Sequence, residues 1–349
     1  MEEPRVYFAV IDGSARESDT DMPRWKSIGR ALDYARCVQS RYDRFHFFIR
    51  PGTYRAKLQI DFPNVCFEGS DRDSTIIVYD DYHSKMTDEG ILTGTANSAT
   101  VTVDSQGFSA VSITIANDFD YPGNSSENDK HTARRSGLQA VALRLTHESD
   151  KASFLNCRFQ GWQDTLFVDA KRCYFRFCII SGNIDFIFGA ASAVFEECMI
   201  ISRFVSGATQ DGYICAPSTK ATQTFGFLFY RCTLMKEQEF LAVGSVWLGR
   251  PWHPSGDPSV CPSACFFECS MDDHINTKGW TVMHSRTKEG IETEWTPMQS
   301  RFYEFATYGP GYAQKSITRK ILTAEEALFW NKESVLSGWD LKGSREHHN

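Results

Sequence analysis

Two aspartates at equal offsets in a repeated segment are the residues of this chain best placed to do chemistry. The pattern Phe-x-x-Cys occurs five times, at Phe154/Cys157, Phe175/Cys178, Phe195/Cys198, Phe229/Cys232 and Phe266/Cys269. Each Cys is followed two residues later by an apolar residue: Phe159, Ile180, Ile200, Leu234 and Met271. The first two copies extend further, into Gly161-Trp162-Gln163-Asp164-Thr165-Leu166-Phe167 and Gly182-Asn183-Ile184-Asp185-Phe186-Ile187-Phe188. If each copy is one coil of a stack, Asp164 and Asp185 fall on neighbouring strands, which lie roughly 4.8 Å apart. Two carboxylates that close cannot both ionise cheaply, so one keeps its proton near neutral pH. The ionised one can then attack or accept, and the protonated one can donate. Gln163, beside Asp164, and Gln139, one strand earlier, could aim side-chain amides at a developing oxyanion. Arg250 is a candidate partner for the ionised Asp, and Trp252 and Trp280 are candidate platforms for a sugar ring. Taken singly, each has a plainer reading: an Asp at a turn, a Gln in a ladder, an Arg on the surface, a Trp in the core. Other nucleophile signatures are absent: there is no Gly-x-Ser-x-Gly, no Gly-x-x-x-x-Gly-Lys and no His-Glu-x-x-His.

The elements that position these residues are short strands. From about residue 45 onward they recur: Phe45-Ile49, Val65-Phe67, Ile76-Tyr79, Ala99-Val103, Val111-Ile115 and Ala140-Leu145 precede the repeats. The first Cys intervals are 21 and 20 residues; the later ones, 34 and 37, must contain loop insertions. Strands at that period predict an all-β, right-handed, single-stranded parallel β-helix. A helix over 24–39, with Trp25, Ile28, Leu32 and Ala35 at helical spacing, is expected to cap its N-terminal end. Coils are expected over about 45–290, with residues 291–349 as a C-terminal tail that includes a short helix at Ala324-Trp330, all in one domain. In a straight strand the Phe and Cys of each repeat would face opposite ways. A corner between them would turn both inward; the alternative leaves the Phe side chains in outer grooves. Two polar stretches, Asn117 to Gly137 and Ser202 to Ala221, read as long insertions, and the first carries a sequon at Asn124.

Composition bounds the function. Apolar residues make up 42% and charged residues 23%, and the net charge is −7, which argues against a nucleic acid or an anionic membrane as partner. No stretch approaches the ~20 apolar residues of a membrane span. Met1-Glu2-Glu3-Pro4-Arg5 has neither a basic region nor a long apolar run. The chain is therefore expected to be cytoplasmic if complete and secreted if a leader has been removed, and the compartment stays open. Eleven cysteines leave at least one unpaired. Most sit in apolar strands, where a free Cys packs as a small hydrophobe. Cys261, Cys265 and Cys269 have the spacing of a faint metal site, but Cys265 and Cys269 read better as strand packing on one side. No metal is expected.

Several segments carry a family resemblance. Gly161 to Phe167, Gly182 to Gly189 and Leu248-Gly249-Arg250-Pro251-Trp252 closely resemble the three signature segments of pectin methylesterases, and Gln139 to Arg144 resembles the strand before them. Ile49-Arg50-Pro51-Gly52-Thr53-Tyr54-Arg55, Gly279-Trp280, Phe302-Tyr303-Glu304 and Tyr308-Gly309-Pro310-Gly311 look like its outer segments. Asn117 to Pro122 and Gly212 to Thr219 are closer to the bacterial-type branch. The resemblance implies hydrolysis of methyl esters of polygalacturonate, with pectin or methylated oligogalacturonide as the partner, no cofactor, and a monomer. It implies Asp185 as nucleophile, Asp164 as general acid and then base, Gln139 and Gln163 on the oxyanion, and Arg250 holding Asp185. Trp252, Trp280, Phe186 and Trp162 would contact substrate. Trp162 and Phe167 stand where the family usually has Tyr, and Asn183 where it often has His or Thr. Three rival functions remain at this level: a glycoside hydrolase on the same fold, since paired carboxylates also serve that reaction; a non-catalytic carbohydrate-binding β-helix; and an intracellular esterase or thioesterase with another acyl substrate.

Overall fold

The computed structural model describes residues 7–14, 24–125, 137–206, 212–287, 289–313 and 316–341. Among these, strands assemble into three long sheets of twelve, eight and seven strands, with every pairing inside them parallel. Each coil gives one strand to each sheet. One coil runs Ala152–Leu155, Arg158–Gln160, Leu166–Val168; the next runs Arg172–Arg176, Ile179–Gly182, Ile184–Gly189. The stack is the predicted parallel β-helix.

The repeat is the internal ladder of that stack. Phe154, Phe175, Phe195, Phe229 and Phe266 lie opposite one another in register, with ring centroids 4.3–4.8 Å apart. All five are buried, and so are Cys157, Cys178, Cys198, Cys232 and Cys269. Both residues of the motif face inward because the residue between them is left-handed: Asn156, Phe177, Glu197, Arg231 and Glu268 have φ of 52–56°. That single residue turns the corner from the twelve-stranded to the eight-stranded sheet, so strand alternation does not carry across it. The outer-groove placement of the Phe residues is thereby excluded. Ser112, at φ 50°, makes the same corner one coil earlier. Val111-Ile115, which reads as one strand, is therefore split between Ser109–Val111 and Thr114–Asn117. Each buried Phe contributes roughly 1.5–3 kcal/mol. The corner also separates Cys265, which packs outward under the C-terminal tail, from Cys269, which packs in the core, so the two do not share a side.

The N-terminal cap is shorter than predicted. The helix spans Ile28–Val38, capped by Ser27, and buries Ile28, Ala31, Leu32 and Ala35 against the first coils. Arg24–Trp25 instead pairs with Ala9–Ile11 as the first edge of the large sheet, so Trp25 is a strand residue. At the other end the coil continues past 290. Arg301–Phe305 and Lys320–Ile321 extend the same sheet. The tail then makes two single-turn helices, Ala324–Ala327 and Lys332–Val335. They cover the outer face of the large sheet, with Trp330, Val335 and Leu336 packed on Tyr174, Val194, Leu228 and Cys265. The stretch Ser202 to Ala221 is not one insertion: Gly212–Pro217 within it is a strand of the seven-stranded sheet. Of the other polar stretch, 126–136 lies outside the described residues.

The internal Phe ladder ends at a charge. Glu304 lies opposite Phe266 and takes two hydrogen bonds from Arg319, at 2.7 and 2.6 Å, with both side chains fully buried. Arg319 also donates to the Gly311 carbonyl, at 2.9 Å. Replacing one member would leave the other charged and unpaired in the core. Glu304→Gln is expected to cost about 3–5 kcal/mol, read as a lowered midpoint of denaturant unfolding. A change below ~1 kcal/mol would show that the pair does not lock the C-terminal end.

Candidate active site

The two aspartates meet where the eight-stranded sheet hands over to the seven-stranded one. Leu166 and Phe167 lie opposite Ile187 and Phe188, which places Asp164 opposite Asp185 by extension of the same register. The Asp164 N–H donates to the Ile184 carbonyl at 3.0 Å. One strand spacing therefore separates them, as the coil interval requires. Both are left-handed, with φ of 64° at Asp164 and 49° at Asp185. Such a conformation costs little for Asp compared with a branched residue, and it turns each carboxylate away from the strand's alternation. At Asp185 the register to the next strand also slips between Ile184 and Ile187. This bulge re-aims a side chain without breaking the sheet. The Gly that opens each repeat has a steric reason: a Cβ at Gly182 would sit 2.3 Å from Phe186 Cβ and 2.6 Å from the Trp162 carbonyl.

The electrostatics separate the two carboxyls. Arg250 grips Asp185 with both ends of its fork, Nε to Oδ1 at 2.9 Å and Nη2 to Oδ2 at 2.6 Å. The guanidinium lies over the Tyr213 ring, 3.9 Å from its centroid. Burial works against the Arg250 charge, but the Asp185 carboxylate outweighs it and holds the pKa above its usual value. Burial pushes Asp164 well above the carboxylate range, and the charge of Asp185 adds to this, with Arg250 pulling weakly the other way. Burial and the neighbouring charge thus favour the protonated form of Asp164, while Asp185 is the carboxyl paired with Arg250. Beside them, Gln139 and Gln163 each bury an Oε1 without a hydrogen bond. Their backbones are fixed by the ladder, His83 N–H to the Gln139 carbonyl at 2.8 Å and Ala140 N–H to the Gln163 carbonyl at 3.1 Å. Both amides are anchored through their backbones, and the atoms left without a partner are their acceptor oxygens.

The outer face of the seven-stranded sheet forms the floor beside this centre. Gln59, Thr102, Arg144, Phe167 and Phe188 make one outward row in register. Phe167 and Phe188 stack at 4.3 Å, and Trp252 meets Phe188 edge-on at 5.5 Å. Toward the N-terminal coils the row opens into a recess of about 300 Å³ lined by Lys57, Gln59, Asn97, Thr102, Arg144 and His147, among others.

The comparisons with known proteins agree with this fold. A family model described as Pectinesterase matches residues 17–319. The chain belongs to the pectinesterase family. As a pectinesterase it is a carboxylic ester hydrolase that acts on methyl esters of pectin. It is similar to Pectinesterase A of Dickeya chrysanthemi, 34% identical over 96% of this chain and 92% of that one. A pectin methylesterase crystallised with a hexasaccharide superposes with a TM-score of 0.88 at 33% identity, over 97% of this chain and 99% of that one. The carrot pectin methylesterase is more distant, with a TM-score of 0.73 at 27% identity, covering 98% of each chain.

Within this pectinesterase the predicted residues divide. Asp164, Asp185 and Arg250 come together, Gln163 adjoins Asp164 along the chain with Gln139 on the strand before it, and Trp252 borders the aromatic floor. Trp280 does not line the cleft: it is 1% exposed and stacks on Phe302 at 4.2 Å inside the coil. Phe186 is fully buried in the same core. Trp280 bridges to Gly249 with its ring turned inward, and the bulge at Asp185 breaks strand alternation so that Phe186 and Ile187 both face the core. Trp162 is half-buried and already stacked, on Tyr121 at 5.7 Å and under the Arg203 guanidinium at 3.5 Å, so it is a wall more than a platform. The residues missed were Tyr213, Phe188 and Arg144. Phe167 and Phe188 end the two extended repeats at equal offsets, and that signal could have placed both on one row.

Proposed function

We propose that this enzyme cleaves methyl esters of polygalacturonate through an acyl intermediate on Asp185. The observation that supports it best is the asymmetric pair: one aspartate held by the Arg250 fork, its neighbour one strand away with its protonated form favoured by burial. The Asp185 carboxylate attacks the ester carbonyl carbon, and the carbonyl oxygen takes the negative charge beside Gln139 and Gln163. The tetrahedral intermediate collapses with loss of the methoxy group, which takes the Asp164 proton and leaves as methanol. Asp164, now a carboxylate, removes a proton from water as that water attacks the acyl carbon. The bond to Asp185 breaks and restores its carboxylate, the product leaves as the carboxylic acid and loses its remaining water-derived proton to solvent, and Asp164 holds the other proton again. No step needs a cofactor.

An open floor of stacked aromatics supports a polymer over a small enclosed acyl group, because flat apolar faces suit the faces of sugar rings. The recess around Arg144 would receive sugar units remote from the scissile ester. Methanol should appear from methylated polygalacturonate at a rate at least ~10³ above background, with no rise in reducing ends. Reducing ends without methanol would replace this reading by a glycoside hydrolase using the same two carboxyls.

A further inference from the structure

One antiparallel hairpin, Met283–Arg286 with Glu292–Trp295, stands outside the three long sheets. It leaves the coil just after Trp280, whose backbone bridges to Gly249, with Thr281 N–H on the Gly249 carbonyl at 3.2 Å. That exit sets it beside the segment carrying Arg250 and Trp252. Two contacts join them. The Trp295 ring lies flat on His253, centroids 3.6 Å apart and planes within 5°. Thr287 closes on Gly256, where an added Cβ would meet Thr287 Cγ2 at 2.9 Å.

From His253 to Asp257 the segment runs outside the sheet strands. Ser255 and Gly256 both have positive φ, 52° and 69°. The hydrogen bonds of His253 to Asp257 close on the segment itself, as Gly256 N–H to the His253 carbonyl at 3.0 Å and His253 Nδ1–H to the Asp257 carbonyl at 2.9 Å. Arg250 is tied to the sheet through the Cys215 carbonyl and to Asp185 through its fork, and Trp252 N–H donates to the Pro217 carbonyl at 3.1 Å, so the sheet holds the Trp252 backbone and only the lean of its side chain is open to a brace. The hairpin contributes a rigid plane: the Trp295 indole N–H donates to Ser285 Oγ at 2.7 Å across the two strands. His253 is buried, and its neighbour Trp252 reaches the Phe188 and Phe167 edges at 5.5 and 6.2 Å.

We propose that Trp295 is a positioning residue that fixes Trp252 in the cleft through its stack on His253. The inference rests on the reading of Trp252 as a sugar platform. Because Arg250 is anchored independently, loss of the stack acts on substrate binding and not on the chemical step. Trp295→Leu keeps apolar bulk and removes the planar stack; Trp295→Phe keeps a ring. With methylated polygalacturonate, Trp295→Leu is expected to raise KM about three- to tenfold with kcat within about twofold, and Trp295→Phe to restore KM. The double variant Trp252→Ala/Trp295→Leu should match Trp252→Ala alone within about twofold, since the brace has nothing left to hold. Thermal unfolding of each variant identifies any that fails to fold, in which case the Phe and Leu pair decides. A Trp295→Leu enzyme with normal KM, beside a Trp252→Ala enzyme with raised KM, would overturn the brace alone. Additive effects in the double variant would do the same. Normal KM in Trp252→Ala would overturn the platform reading and the brace with it.

Discussion

Asp185→Asn is expected to lower methanol release from methylated polygalacturonate by at least ~10³-fold, with a folded protein. An amide of the same size cannot supply the electron pair that forms the acyl bond. The backbone should tolerate the change, because Asn is at least as common as Asp in the left-handed conformation that residue 185 adopts. The local cost is the lost carboxylate partner of Arg250, whose side chain is only 15% exposed. Far-ultraviolet circular dichroism and the unfolding midpoint separate that cost from lost chemistry. Turnover within tenfold of the parent enzyme would remove Asp185 from the nucleophile's role and shift attention to Asp164.

Arg250→Lys should show its loss in turnover more than in KM. Lysine keeps the charge but not the planar fork that now makes two hydrogen bonds to Asp185, at 2.9 and 2.6 Å. One charge-assisted hydrogen bond is worth about 1.5–3 kcal/mol, which converts to roughly 10- to 100-fold in kcat. The ammonium would also lose the flat contact with the Tyr213 ring. Steady-state kinetics on one substrate decide the matter. If KM alone rises, Arg250 touches substrate and does not orient the nucleophile.

The repeat made much of this site legible. A period of 21 residues that carried Phe, Cys, Gly and Asp at fixed offsets implied stacked coils, and stacked coils imply neighbouring aspartates. Arg250 was a candidate partner by residue type alone, and only the family's third signature segment tied it to Asp185, since nothing local links residue 250 to residue 185. The substrate contacts were read least well. Trp280 and Phe186 are large aromatics near the motifs, and sequence gives no measure of which side of a strand faces out when a bulge lies between. Trp295 and His253 carried no signal, because their contact joins a hairpin to a loop across some forty residues.

By itself the sequence determined the period, the apolar alternation and the chemical groups that one coil sets beside the next. These are local or repeating properties, and a repeat reports on its neighbour. Tertiary structure alone decided direction and charge. Left-handed corners at Asn156, Phe177, Asp164 and Asp185 choose which side chains enter the core and which leave it. Burial together with the Asp185 charge raises the affinity of Asp164 for its proton. Both effects arise from packing between segments distant in sequence. A left-handed φ is open to many residue types, and a carboxyl's affinity for its proton depends on surroundings that no single segment contains.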